Sequence, residues 1–287
     1  MDKVITPNSV KHMPGGTSYY FSNAIRNMHL GYLLVTSLGS TEMHTVEELR
    51  ALGIRINAFT SAWSVYFENI YGVNRNHRTQ RVLHKADPFT AEQIKDIQSK
   101  IFHLGPLLAD DMSAAFIKDL STRGSVSLDV QGFLRTVENK NVVLADWPEK
   151  KEMLKYIDII KANDQEMEVV TGLTDIRDGA SLLAEWGVKE VIITLGDKGS
   201  VIYTDGIFYD IPVFVPGNVS DTTGCGDTYM AGYLSQRILG KGPQKAGEFA
   251  SAMAALKIET YGPFTGTADD VYRFMSSEKN SGIPVLQ

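Results

Sequence analysis

The sequence predicts an α/β fold: a mostly parallel sheet covered by helices, with a small antiparallel β lid. Three observations carry that prediction. From about residue 100 onward, short β-branched or aliphatic runs alternate with amphipathic stretches, the rhythm of strand–helix–strand units. The runs are those expected of strands buried on both faces. The region 54–85 differs in kind, rich in aromatic residues broken by Asn, Ser and Gly.

The strands are expected at Ile101–Leu104, Ser125–Val130, Tyr156–Ile160 and Val191–Leu195. Between the last two, Asp178–Gly187 reads as a helix, with apolar residues at 182, 183 and 186 and a glycine at its end. Asp205-Gly206, set between two β-rich runs, signals a hairpin. Phe59, Trp63, Val65, Tyr66, Phe67, Ile70 and Tyr71, followed by the polar stretch 74–80, suggest an antiparallel insertion that acts as a lid. An ordinary edge hairpin is the plainer reading of the same pattern. The expected organisation is a core of residues 14–53 and 86–287, with 2–13 and 54–85 as the lid.

The 287 residues suffice for one large α/β domain, alone or with a small appendage. A net charge of −6 without a basic stripe argues against nucleic acid as a partner. No apolar run approaches the ~18–20 residues that span a bilayer, so no membrane partner is expected. Met1–Pro7 lack the basic and apolar regions of a secretory leader. A single cysteine, Cys225, excludes an intrachain disulfide and fits a reducing compartment, most simply the cytoplasm. Six scattered histidines and no Cys cluster give no expectation of a zinc site.

The chemistry concentrates in Asp221-Thr222-Thr223-Gly224-Cys225-Gly226-Asp227. A helix follows, with Met230, Leu234 and Ile238 on one stripe. A turn of Gly, a small residue and Gly lets backbone N–H groups point outward where the helix carries partial positive charge, a seat for phosphate or a developing oxyanion. Asp227 lies in the first turn. One reading is a helix-end carboxylate worth ~0.3–1 kcal/mol. The other is a base that takes the proton of an attacking hydroxyl while the turn holds the transferring phosphoryl group. A dinucleotide-binding turn would need a third glycine where Tyr229 stands, and no Gly-x-x-x-x-Gly-Lys-Ser/Thr loop is present.

Asp221–Asp227, running into Thr228-Tyr229-Met230-Ala231-Gly232, resembles the C-terminal signature of the ribokinase-like (PfkB) carbohydrate kinases, departing from it at Cys225. The resemblance implies a ribokinase-like fold and an ATP-dependent kinase acting on a hydroxyl of a small sugar or cyclitol. Asp227 would be the base, and the N–H groups of Gly224, Cys225 and Gly226 the anion cradle. Asn163-Asp164-Gln165-Glu166 is similar to the family's Asn-x-x-Glu motif, which implies that Asn163 and Glu166 order Mg²⁺ and its waters. The same residues also read as a capping box. Thr194-Leu195-Gly196-Asp197-Lys198-Gly199 resembles the nucleotide loop, and the helix 249–256, with Ser251, the small-residue helix beside adenine. Asp221 would position the turn or a monovalent cation, K⁺ in some relatives. Cys225 reads as a small space-filler, although a thiol at a helix start can have a lowered pKa.

The acceptor side is implied by Pro14-Gly15-Gly16-Thr17, similar to the di-glycine sugar turn. Tyr20 stands where the family usually has Asn, and Asn23 lies three residues further on. Thr60–Tyr71 and Arg78–Leu83 match the lid strands, and Ser127–Arg135 takes the place of the family's Asp-x-Asn-x-Arg run. The pattern from Gly15-Gly16 to Asn23, together with Asp129-Val130-Gln131, looks most like the myo-inositol kinase branch. The implied substrate-binding residues are Asp2, Gly15, Gly16, Asn23, Gln131 and Asp227. Family members normally begin with a strand that ends in the aspartate matched by Asp2. Here that strand is missing, so a gap in the sheet is expected, to be covered by upstream residues or by another segment. A nucleoside kinase and a non-catalytic sugar- or nucleotide-binding protein are the alternatives. The aromatic lid could close over its own substrate or pair across a two-fold axis in a homodimer.

Overall fold

The computed structural model describes residues 1–7, 9–71 and 78–277. The chain opens with strands β1 (Asp2–Thr6) and β2 (Ser9–Met13), helix α1 (Thr17–Ile25), β3 (Leu33–Gly39), α2 (Met43–Ala51) and β4 (Arg55–Ser61). Next come β5 (Tyr66–Tyr71), β6 (Arg78–His84), the short helix α3 (Ala91–Ile94), β7 (Ile101–Leu104), α4 (Ala114–Ser121) and β8 (Ser125–Asp129). The middle holds β9 (Arg135–Glu138), β10 (Asn141–Leu144), α5 (Lys150–Met153), β11 (Ile159–Asn163) and α6 (Asp164–Thr171). It closes with α7 (Ile176–Glu185), β12 (Glu190–Thr194), β13 (Ser200–Thr204), β14 (Ile207–Ile211), α8 (Cys225–Ile238), α9 (Pro243–Ile258) and α10 (Ala268–Met275).

The main sheet runs β14-β13-β12-β11-β8-β7. β7, β8, β11 and β12 are parallel, and β13 and β14 turn back antiparallel. Asp205 and Gly206, both at positive φ, make the tight turn between β13 and β14, the conformation a two-residue hairpin needs. Helices cover both faces. In β12, Val191 and Ile193 pack into one core with Ile117, Leu154 and Leu183, while Ile192 packs into the other with Met230, Tyr233 and Phe249. A strand buried on both sides has no polar face, which is why its centre, Val191-Ile192-Ile193, is continuously apolar.

β3 and β4 form a separate parallel pair. The remaining strands make a second sheet, β2-β1-β5-β6-β10-β9. This sheet holds the strands expected to form the lid, with three differences. β4, expected in the lid, pairs with β3 and packs against α2 through Ile56, Val46 and Leu49. β1 and β5 run parallel, because the chain leaves for the α/β part between them. The hairpin β9–β10, expected in the core, extends the lid sheet through Asn141 and Arg81. It turns at Asn139 and Lys140, both at positive φ. Residues 72–77, which overlap the polar stretch 74–80 of the expected insertion, lie outside the described residues.

In the main sheet, the strand expected at 156–160 begins three residues later. Leu154–Tyr156 is a helical turn, and the carboxylate of Asp158 accepts the N–H of Val126 at 2.8 Å, fixing the strand start. Lys161 is buried inside β11, which continues through Ala162 and Asn163 paired with β12, so the charged residue is not the end of the strand. The strand expected at 125–130 ends at Asp129, whose side chain accepts the N–H of Gln131 and opens a helical turn.

Candidate active site

The carboxyl ends of β8, β11 and β12 and the amino ends of α1 and α8 meet in one place. Helix α8 starts at Gly224, whose φ of 76° is a left-handed conformation that favours glycine. A methyl group there would also stand 2.1 Å from the ring of Tyr20. The N–H of Cys225 is turned to the carbonyl of Thr222 at 3.3 Å. The amides of Gly224, Gly226 and Asp227 have no hydrogen-bond partner among the described residues. The turn therefore offers N–H groups on either side of Cys225 rather than the N–H of Cys225 itself.

Beneath Gly226 lies a charged cluster. A methyl group at Gly226 would be 3.0 Å from Lys161 Nζ and 3.9 Å from Asp129 Oδ2. Lys161 Nζ donates to Asp129 Oδ2 at 3.0 Å and stands 3.9 Å from Glu166 Oε2. Burial opposes its charge, but Asp129 and Glu166 outweigh the burial and hold the ammonium well above the ordinary lysine range. Burial, with Asp129 adding to it, raises Asp227 to about 7. A hydrogen bond from Thr17 and the charges of Lys161 and Arg135 pull the other way. Thr17 is the first residue of α1, so the amino ends of both helices converge on this carboxylate.

Asn163 and Glu166 form the capping box of α6. Asn163 Oδ1 accepts the N–H of Glu166 at 2.7 Å, and Glu166 Oε2 accepts the N–H of Asn163 at 2.8 Å. Gln131 Nε2 donates to Glu166 Oε1 at 3.2 Å. Gln131, expected on the acceptor side, is thus tied to Glu166. No group of three or more His, Cys, Asp or Glu that could hold a metal occurs among the described residues. With both oxygens of Glu166 engaged and an ammonium beside them, a metal ion bonded directly to this carboxylate does not fit. A Mg²⁺ ion that keeps its waters and sits on phosphate does fit.

The cation expected beside Asp221 does not fit. The ammonium of Lys257, with no exposed side-chain surface, donates to the carbonyl oxygen of Asp221 at 2.7 Å and to Oδ2 at 3.1 Å. Gly262 N–H also reaches Oδ2, and Thr223 N–H reaches Oδ1. Burial works against the charge of Asp221, yet these bonds hold its carboxyl below the usual range. Cys225 is half-buried. Burial pushes its thiol up to about 11, although Lys257 opposes the rise, so the lowered pKa open to a helix-start thiol is not what forms.

On the acceptor side, Asp2 Oδ2 lies where a side chain at Gly15 would go, 1.7 Å from a built methyl group. Asn69 Nδ2 donates to Asp2 Oδ1 at 3.3 Å, and Gln80 Nε2 donates to Asn69 Oδ1 at 2.9 Å. Tyr20 joins the two sides. Burial raises its pKa, and the charges of Asp221, Asp2 and Asp227 raise it further. Gly16, at φ 78°, caps α1 against Leu107. Asn23 is buried inside α1 with its amide on the Tyr19 carbonyl at 2.9 Å, and no bond joins it to the cluster.

The profile of the pfkB family carbohydrate kinases matches residues 77–269. The chain belongs to this family. A cytidine kinase from Thermococcus kodakarensis is 27% identical over 141 residues, 48% of this chain and 48% of its own length. A ribokinase from Arabidopsis thaliana is 32% identical over 130 residues, 43% of this chain and 34% of its own length. The chain thus spans about half or less of the length of these curated relatives. A solved pyrophosphate-dependent kinase in the ribokinase family, complexed with a pyrophosphate analog and myo-inositol, is similar with a TM-score of 0.85 at 26% identity, covering 95% of this chain and 96% of that one.

Within this PfkB fold, the residues expected at the nucleotide lie at or after the sheet's carboxyl edge. Thr194 ends β12. Gly196, at φ 62°, has open space around it, while a methyl group at Gly199 would be 2.1 Å from the carbonyl oxygen of Ile211. Ser251 spends its hydroxyl proton on the Pro212 carbonyl at 2.8 Å. Sequence reasoning named Thr17 and Asp129 within motifs but gave neither a role, and missed Lys161 and Lys257. A lysine at the end of an apolar run, three residues before Asp164 and five before Glu166, was the available signal for Lys161.

Proposed function

We propose that this chain transfers the γ-phosphoryl group of ATP to a hydroxyl of a small sugar or cyclitol. The observation that carries this reading is the convergence of the unpaired amides of Gly224, Gly226 and Asp227 with a carboxylate, that of Asp227, raised to about 7. In the step, the acceptor hydroxyl oxygen bonds to the γ-phosphorus and its proton passes to Asp227. The bond from the γ-phosphorus to the β–γ bridging oxygen breaks and ADP leaves. Gly224 and Gly226 hold the transferring group through their amides, in the alignment that phosphoryl transfer demands. Lys161 adds positive charge beneath the turn. Asp2, Gly15 and Gly16 hold the acceptor. Thr194, Gly196, Gly199 and the helix of Ser251 hold the nucleotide. Asn163 and Glu166 would hold Mg²⁺ through its waters, and the ion when bound neutralises phosphate charge.

Pyrophosphate is the second reading of the donor, favoured by the similarity to a pyrophosphate-dependent kinase solved with myo-inositol. The same proposal places the chain in the cytoplasm, where the free thiol of Cys225 stays reduced. It also includes a homodimer through the lid sheet, where Val10 and Leu144 are exposed; sedimentation at a fixed concentration tests it. The activity test supplies ATP or pyrophosphate with myo-inositol, ribose, fructose or cytidine and weighs the phosphate ester by mass spectrometry. An ester of a sugar or cyclitol formed with ATP is expected. An ester formed only with pyrophosphate overturns the donor, and an ester of cytidine alone overturns the acceptor class. Binding of ATP without any ester marks a binding protein.

A further inference from the structure

Tyr20 lies one helical turn beyond Thr17 on α1, and residues three apart share a helix face. Thr17 is hydrogen-bonded to Asp227, so this face of α1 stands beside the carboxylate. The ring of Tyr20 is held from three directions. A methyl group at Gly224 would be 2.1 Å from its Cδ1 and 2.8 Å from its Cε1. The Lys257 ammonium stands 5.8 Å from the ring centroid. The ring of Tyr19 meets it edge-on, with the centroids 5.6 Å apart. Only 3% of the residue is exposed. A ring fixed in this way gives its hydroxyl a fixed position.

That hydroxyl has no hydrogen-bond partner among the described residues, and it keeps a little exposed surface. The phenol is thus closed at its ring and open at its oxygen. Packing does not account for the oxygen, because a phenylalanine would fill the space beneath Gly224 equally well. Buried tyrosines ordinarily find a partner for the hydroxyl, as Tyr32 does with Ser22 at 2.9 Å and Tyr229 with Ser200 at 2.7 Å. Three carboxylates decide what kind of partner fits Tyr20. Burial first, and then the charges of Asp221, Asp2 and Asp227, hold the phenol protonated, well above the ordinary tyrosine range. Its hydroxyl is therefore a permanent donor. Among three negative charges a neutral oxygen is a better guest than an anionic phosphoryl oxygen, and the transferring group is already served by the amides of Gly224 and Gly226.

We propose that Tyr20 Oη donates a hydrogen bond to a second hydroxyl of the acceptor, and so selects polyhydroxylated acceptors and orients the reacting hydroxyl on Asp227. The inference rests on the kinase reading given above and adds a specificity residue to it. The direction follows from the two carboxylates on either side: Asp2 lies over Gly15, with the residues assigned to the acceptor, and Asp227 takes the proton. A simple alcohol offers no second hydroxyl, leaves Tyr20 unpaired and reacts poorly. The held ring makes the contact selective, since the donor cannot follow an acceptor bound in the wrong orientation.

Tyr20→Phe tests this, because it keeps the ring and removes only the oxygen. Steady-state kinetics are measured with the sugar or cyclitol that the unaltered chain esterifies, and with its singly deoxygenated analogues, each lacking one of the hydroxyls that is not esterified. For the full acceptor, kcat/KM of Tyr20→Phe is expected to fall about tenfold or more, mainly through KM, with Tm and donor affinity unchanged. With one of the analogues the two proteins should have equal kcat/KM, because the partner of the hydroxyl is gone. Equal kcat/KM for the full acceptor overturns the proposal and leaves the kinase reading standing. A loss that persists in full with every analogue overturns it too, as does a lowered Tm with weakened donor binding, which marks the hydroxyl as structural. If the unaltered chain esterifies no acceptor, the kinase reading itself falls and this proposal with it.

Discussion

Asp227 is held at a pKa of about 7 by burial and by Asp129, against the hydrogen bond from Thr17. A base must be unprotonated to accept a proton, so kcat/KM should rise with pH along an acid limb centred near 7. Asp129→Asn removes the second cause of the upward shift and should move that limb to lower pH; an unmoved limb would detach it from Asp227. The same shift bears on stability. The folded pKa lies above the ordinary value of 3.8, so the folded state binds this proton more tightly than the unfolded chain. This contribution is fully present below pH ~4 and is lost as pH rises through ~7. Asp227→Asn should therefore raise Tm at pH 8 by more than at pH 5, read by calorimetry at both. Lys257 makes a second residue-scale case. Its ammonium already fills the carbonyl and carboxylate of Asp221, so turnover should be the same in sodium as in potassium. Potassium activation of several-fold would contradict that account. Lys257→Met should destabilise strongly, ~3 kcal/mol or more, because it leaves a carboxylate without its buried partner.

At the scale of elements, the turn into α8 is the most constrained piece of the fold. Gly224 combines a left-handed backbone with contact against the ring of Tyr20. Gly224→Ala should weaken donor binding about tenfold or more by calorimetry, while Gly240→Ala, at a positive φ with open space around it, should leave binding unchanged. This element was legible in the sequence because turn glycines and a first-turn acid obey local rules. The hairpin β13–β14 was legible for the same reason. What local rules could not show was pairing at a distance. Lys161 looked like the end of a strand because its partner, Asp129, is 32 residues away. The hairpin β9–β10 carried a turn signal in Asn139-Lys140, but only its pairing with β6 assigns it to the second sheet. Gln131 was matched to an acceptor role by resemblance, and in the fold its amide donates to Glu166.

Over the whole molecule, the site lies where a helix-covered sheet meets a second, mostly antiparallel one. The main sheet and its helices position the turn, Lys161 and Glu166, while the second sheet contributes Asp2 and Asn69. Arg135, which opens β9, acts on Asp227 and stands over the ring of Phe67 in β5, so it links the second sheet to Asp227. This division explains why the expected donor side was read from contiguous motifs and the expected acceptor side only in outline: the residues expected to hold the acceptor come from separate segments, Asp2 in β1 and Gly15-Gly16 before α1. The central claim is that the turn binds the transferring group while Asp227 takes the proton. The most direct measurement is the turnover of Asp227→Asn beside its affinity for the donor, by steady-state kinetics and calorimetry. A fall in kcat of at least ~10² with donor affinity nearly unchanged is the expected result. Turnover close to that of the unaltered chain would contradict the account.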